Sequence, residues 1–404
     1  MAASTPPVGP LAGLRVLDLA TVMAGPMAST LLGDYGADVL KVELPGKGDG
    51  VRYYPPYKQG KSLWWKVVNR NKRMVTLDLR KPEGAALLKR LLPDFDVLVE
   101  NFRPGTLDGW GLDRDTLWAV NPRLVILRVT GFGQTGPYRD RPGFARIFES
   151  LGGMAYISGE PDGEPMHVGY PMGDAIGGLF GALAIMTALW PIARDPQRRG
   201  EEIDLSLTEG VLKLMDVLHV EYEQLGIVRE RSGNNNQYSA PAVVAKSCDG
   251  RWFSLAGGTD ALFRRNVQAM GRPELADDPR FASNNGRVEH AAVLNDIFRR
   301  WCATQTGAQI VEAFRASGGT IAPIYSAADI AADPHFKARQ ALVDVPDPDH
   351  GTVRMPAVVP RFLNAPAALR HSAGELSEHN DEVFGGRLGL SEDERRRLRK
   401  AQVI

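Results

Sequence analysis

Cysteine is nearly missing. Cys248 and Cys302 are the only two in 404 residues, too few for a disulfide framework or a cysteine-rich zinc site. Net charge is missing too, with 48 basic residues against 48 acidic ones, which excludes a surface drawn as a whole to nucleic acid. The seven histidines show no metal-ligand spacing, and neither HExxH nor GxSxG occurs. The stretch from Met1 to Pro10 lacks the basic-then-apolar pattern of a signal peptide, so the expected address is the cytoplasm. Long apolar runs are reduced to one, from Ala175 to Ala193. With no second such run, it reads as a fully buried helix of a protein that makes no membrane contact. Gly177, Gly181, Ala184 and Ala188 line one side of it for close packing.

What remains is a chain able to build a large core, at 44% hydrophobic residues. Glycine stands at 43 of 404, above the usual ~7%, and without a three-residue period it marks turns and close approaches. Residues 15–19, 39–43, 75–79, 97–99 and 124–129 read as strands, with helices at 26–35 and 82–92. The alternation predicts an α/β fold whose large domain is a doubly wound, Rossmann-like parallel sheet. That domain spans 1–205, a linker helix 206–229, a small α+β domain 230–325, and the chain returns to the large domain over 326–404. In the small domain, strands are expected at 243–246 and 252–255 and helices near 260–270, 291–304 and 307–317. Ser391 and Glu394 form a capping box for a basic C-terminal helix.

Two local features carry candidate chemistry. Gly131-Phe132-Gly133-Gln134-Thr135-Gly136 is a literal GxGxxG, but Pro137 and Pro142 follow where a dinucleotide site needs a helix. It reads as a glycine-rich loop beside a ligand, or as a plain strand-end turn. Asp174 stands directly ahead of the apolar run. It reads as an N-cap, or as a carboxylate kept ionised at a helix start for nucleophilic work; the two roles are compatible. Basic residues recur at turns (Arg52, Lys72, Arg73, Arg80, Arg103, Arg141, Arg146) and as a set suit a phosphate-bearing ligand, although surface charge is the default for each.

Several stretches together carry a resemblance. They are 11–18 (LAGLRVLD), 24–26 (AGP), 36–43 (GADVLKVE), 71–73 (NKR), 76–79 (TLDL), 100–105 (ENFRPG), 131–137 (GFGQTGP), Gly173-Asp174, 277–281 (DDPRF) and 388–391 (LGLS). In these the sequence resembles the family III CoA-transferases over nearly its whole length. The resemblance implies an inserted small domain and an interlocked homodimer, each chain forming a ring through which the other threads. It implies that Asp174 attacks the acyl-CoA thioester, that coenzyme A enters as substrate with no permanently bound cofactor, and that no metal takes part. Val22, Leu77, Arg80, Asn101, Phe102 and Arg103 match positions around the CoA nucleotide and pantetheine, and Phe144 an aromatic position near the thioester. Gly257-Gly258 matches a glycine-rich loop over the aspartate.

Beside Phe144 the sequence departs from the family pattern. Ala145 stands where many relatives have an acid, and Arg146 follows. A guanidinium there suits a second carboxylate on the substrate, as in succinyl-CoA or mesaconyl-CoA; equally it suits a pair with Glu149 three residues on. The alternatives are an acyl-CoA racemase or epimerase of the same fold and a non-catalytic CoA-binding protein. The resemblance implies that the racemase branch carries a histidine at the position of Phe144, and phenylalanine carries no proton.

Overall fold

The computed structural model describes residues 9–404, so the N-terminal stretch read for a targeting signal lies almost wholly outside the described residues. Six strands form the main sheet: β1 Arg15–Asp18, β2 Asp38–Glu43, β3 Lys72–Thr76, β4 Val97–Glu100, β5 Val125–Thr130 and β6 Glu202–Ser206. They lie in the order β3-β2-β1-β4-β5-β6 and every neighbouring pair is parallel. The order reverses between β1 and β4, which opens a crevice at the carboxyl ends of those strands.

Alternation along the strands builds two cores, because successive side chains point to opposite faces. Leu17, Leu40 and Leu98 enter one cluster with Phe384 and Ile404. Their neighbours Val16, Val39 and Val97 enter the other with Ala28 and Ile185. Each buried leucine contributes on the order of 1.5–3 kcal/mol. Helix α1 (Ala24–Asp34) follows β1, and α2 (Pro82–Leu91), with proline at its permitted first turn, follows β3. Three more matter for the site: α3 (Ala145–Leu151), α4 (Met172–Arg194) and α5 (Leu207–Leu214), with α6 (Asp216–Leu225) after them.

Helix α4 is the apolar run, and it is long and apolar enough to cross a membrane. It lies directly on α1: a Cβ added at Gly178 would sit 2.8 Å from the Met27 Cβ, and one at Gly181 3.0 Å from the Ala28 Cβ. The expectation of full burial is corrected. Small residues turn inward, while Leu183 and Trp190 remain 62% and 61% exposed on the opposite side.

The chain divides into two compact units. The larger takes the described residues up to Met154, then His167–Leu225 and Ala338–Ile404; the smaller takes Ala155–Met166 and Gly226–Lys337. Thus the smaller unit runs on to Lys337 rather than 325 and includes a segment before α4. In place of one linker helix at 206–229 stand α5 and α6, both in the larger unit. The smaller unit holds an antiparallel sheet of β7 (Ala242–Lys246), β8 (Trp252–Ala256) and β9 (Ile321–Pro323), with helices Asp260–Ala269, Ala291–Ala303 and Gly307–Ser317. The Ser391 capping box forms as expected.

Candidate active site

A cavity of about 330 Å³ lies at the carboxyl ends of β1, β2, β3 and β4. Val22, Leu77, Arg80 and Phe102 line it, four of the positions matched to CoA contacts. Its walls are fixed by a chain of polar contacts. At the point where the strand order reverses, Asn101 clamps the β1 loop: Thr21 N–H donates to its Oδ1 and its Nδ2 donates to the Thr21 carbonyl, both at 2.7 Å. Val22 adopts φ +65°, a strained conformation for a β-branched residue, and its N–H donates to Asp49 Oδ1 at 3.0 Å. Asp49 is in turn held by the buried Lys41 ammonium at 2.9 Å. Phe102 N–H donates to Glu100 Oε2 at 2.7 Å, and burial pushes the Glu100 carboxyl up to about 7 despite that bond and the nearby Arg128.

Arg80 reaches the cavity with its side chain more than half exposed while Asp78 grips it, Nε to Oδ1 at 2.7 Å. Hydrogen bonding from Arg80 holds the Asp78 carboxyl below its usual value. A guanidinium so oriented is a ready partner for phosphate.

The other basic residues do not gather here, which corrects the expectation of a common phosphate site. Lys72 is buried against Asp18 at 2.7 Å, and burial pushes its ammonium down to about 8. Arg73 pairs with Asp38 and Glu382, and Arg52 pairs with Glu43 and covers the Trp65 ring. Arg103 and Arg141 are exposed and outside the cavity lining. Lys47, Gly48 and Trp110 line the cavity and were not anticipated. The signal for the first two was the glycine-spaced Gly46-Lys47-Gly48-Asp49-Gly50 directly after a strand.

Asp174 lies in the first turn of α4, not at its cap; the cap position is Pro171, and no side chain on that residue serves it. The expected capping role is corrected. Gly173 N–H donates instead to Glu149 Oε1 on α3, at 3.0 Å, and Glu149 Oε2 lies 2.8 Å from His167 Nδ1. Among the described residues, no hydrogen bond reaches the Asp174 carboxylate. Burial, joined by the Glu149 charge, pushes that carboxyl up to about 6. One turn further on, a Cβ at Gly177 would lie 3.7 Å from the Ala24 Cβ, so the start of α4 shares the sheet's carboxyl-end edge with the start of α1. Chemically this is a half-buried carboxylate, mostly ionised at neutral pH and free to act as a nucleophile.

Phe144 precedes α3 and is 68% exposed, and Arg146, on the first turn of α3, is also exposed. Arg146 does not pair with Glu149, which is taken by His167 and Gly173, and its guanidinium has no partner among the described residues. Gly257 and Gly258 lie in the smaller unit, where Gly257 N–H donates to the Pro241 carbonyl and the Gly258 carbonyl accepts from Arg287. The GxGxxG loop opens no helix, since the next one begins at Ala145. Its Gln134 N–H donates to Asp204 at 3.0 Å, a strand-end turn.

Residues 11–380 match the model for CoA-transferase family III. The chain is 44% identical to succinyl-CoA–D-citramalate CoA-transferase of Chloroflexus aurantiacus, over all of both chains. It is 45% identical to the β subunit of succinyl-CoA–L-malate CoA-transferase of the same organism, over 98% of each. Among solved structures it resembles a CaiB/BaiF family protein from Brucella suis, with TM-score 0.82 and 35% identity over 94% of this chain and 99% of that one.

Proposed function

This chain belongs to CoA-transferase family III, and from that membership we propose that it exchanges CoA between dicarboxylic acids, with succinyl-CoA as donor and Asp174 as the covalent relay. The observation that carries the reading is the Asp174 carboxylate, half-buried and unbonded at the start of α4.

In the proposed sequence an Asp174 oxygen attacks the thioester carbonyl carbon, the C–S bond breaks, and CoA leaves as thiolate. The mixed anhydride so formed is attacked by that thiolate at the aspartyl carbonyl. The donor acid departs as carboxylate and a β-aspartyl-CoA thioester remains. The acceptor carboxylate then attacks the thioester, releasing thiolate and forming a second anhydride. Thiolate attack on the acceptor's acyl carbon completes the new acyl-CoA and restores Asp174. Thioester energy is conserved at each step, which is the advantage of the covalent route.

The cavity at the strand ends suits the CoA moiety, with Arg80 toward phosphate and Val22, Leu77 and Phe102 along the apolar portion; Asn101 shapes the loop, and Arg103 is assigned to CoA from the family resemblance, outside the cavity lining. Phe144 is assigned to the thioester and Arg146 to the far carboxylate of the acyl group, for which its free, exposed guanidinium is suited. Gly257 and Gly258 are assigned to cover the intermediate. We place the enzyme in the cytoplasm as a homodimer, consistent with two free cysteines and with the apolar face that α4 leaves exposed.

One experiment tests the reading. The wild type, Asp174→Ala and Arg146→Ala are incubated with succinyl-CoA and hydroxylamine, and exchange is followed with di- and monocarboxylic acceptors. The wild type is expected to carry a hydroxamate at Asp174, and Asp174→Ala to lose exchange by at least about a thousandfold. Persistent exchange in Asp174→Ala sinks the mechanism. Arg146→Ala should raise KM for dicarboxylates by about tenfold more than for monocarboxylates; equal effects sink that assignment.

A further inference from the structure

The first N–H groups of a helix need acceptors from outside it. In α4, Met172 N–H goes to the Tyr170 carbonyl at 2.8 Å and Gly173 N–H to Glu149 Oε1 at 3.0 Å. Aspartate is among the best capping residues, yet the aspartate of this helix is not used that way. The cap arrives from another helix, on a carboxylate only 2% exposed. Its second oxygen is braced by His167 Nδ1 at 2.8 Å, and that imidazole side chain is 17% exposed. A buried carboxylate with both oxygens engaged is rigid and costly to place, so its position calls for a reason beyond packing.

We propose that Glu149, braced by His167, is a positioning residue for acyl transfer: it caps α4 in place of Asp174, leaves that carboxylate free, and holds a charge beside it. The proposal deepens the function above and rests on Asp174 being the nucleophile. Two requirements of such a nucleophile conflict. A helix start favours an ionised carboxylate, but a carboxylate bonded to the helix N–H groups is a poor nucleophile because its lone pairs are engaged. Moving the cap to Glu149 removes the bonds and keeps the location. The Glu149 charge then adds to burial in raising the proton affinity of Asp174, and with it the basicity of the attacking oxygen.

Among the described residues, no other charged group is placed to do this. On α1, Asp34 sits at the far end and pairs with Arg70. On α5, Glu209 is exposed and Lys213 leans toward Asp216. In the strands beneath α4, Arg128 pairs with Glu202 and Asp204 accepts from Gln134. Arg146 is exposed on the same helix as Glu149.

The test measures the pH dependence of succinate release from succinyl-CoA in a single turnover, for wild type, Glu149→Gln and His167→Gln. The wild-type rate should fall away below about pH 6, the value at which Asp174 takes up its proton. Glu149→Gln keeps an amide oxygen to accept from Gly173 but loses the charge, so its acid limb should move down by about one pH unit. His167→Gln loosens the carboxylate that His167 braces, so its limb should move in the same direction by a smaller amount. A merely structural role would scale the rate and leave the limb in place. An unmoved limb in Glu149→Gln overturns the proposal. Should that variant fail to fold, His167→Gln decides alone: a downward move supports the proposal, and an unmoved or upward limb overturns it. Absence of a hydroxamate at Asp174 in the wild type would instead count against the nucleophile, and is read separately from any limb.

Discussion

Asp174 is held where its charge is disfavoured, and the consequence for stability has a definite sign. The folded chain raises its carboxyl from 3.8 to about 6. Below pH 3.8 folded and unfolded chains both hold the proton. Between 3.8 and about 6 only the folded chain does, so stability falls as pH rises through that window, and above it the whole cost is present. The displacement corresponds to about 3 kcal/mol at most. Asp174→Asn should therefore abolish turnover yet melt higher than wild type at pH 7.5, with the gain shrinking toward pH 4. Equal melting temperatures at both pH values would contradict this. The position ahead of an apolar run marked this aspartate as a cap or a nucleophile, and the family resemblance favoured the second. Its freedom was not readable, because the residue that takes over its capping role lies 24 positions away and only the fold brings it near.

At the scale of elements, the decisive joint is the one between β1 and β4, where strand order reverses. Asn101 makes both of its bonds to Thr21 across that joint, and the loop so held carries Val22 in a conformation that valine does not adopt unaided. Asn101→Ala leaves an N–H and a carbonyl without partners, at roughly 1–3 kcal/mol. We expect the KM for acyl-CoA to rise about tenfold with kcat within about twofold of wild type, as steady-state kinetics would read it. A fall in kcat alone would place Asn101 with the chemistry instead. Strands and helices with clear periodicity were legible: the helices of the smaller unit fall within a residue or two of their expected bounds. Strand β3 was displaced, expected at 75–79 and found at Lys72–Thr76, because two basic residues at its start looked like surface. Lys72 is buried against Asp18 and Arg73 is paired with Asp38, and neither partner is a near neighbour in sequence. Charge that is satisfied across a sheet cannot be told from solvated charge in a sequence alone.

At the scale of the molecule, the apolar run raises the remaining question, since a helix of this composition cannot leave half of itself in water without reason. Leu179, Leu183 and Trp190 stand 58%, 62% and 61% exposed along one side of α4, and Val217, Val220 and Leu225 are exposed on α6. An apolar surface of this extent marks an interaction face. A second copy of the chain is the proposed occupant, and the substitution that tests it exploits the exposure itself. Leu183→Asp touches no core in the single chain, so for a monomer its cost should stay within about 0.5 kcal/mol and go unnoticed. In a dimer the same change buries an unpaired carboxylate, at several kcal/mol. Light scattering should give twice the 44.1 kDa chain mass for the wild type, and monomer or aggregate with little transferase activity for the variant. A wild type that scatters as a monomer, or a variant that matches it in mass and rate, would return the exposed face to solvent.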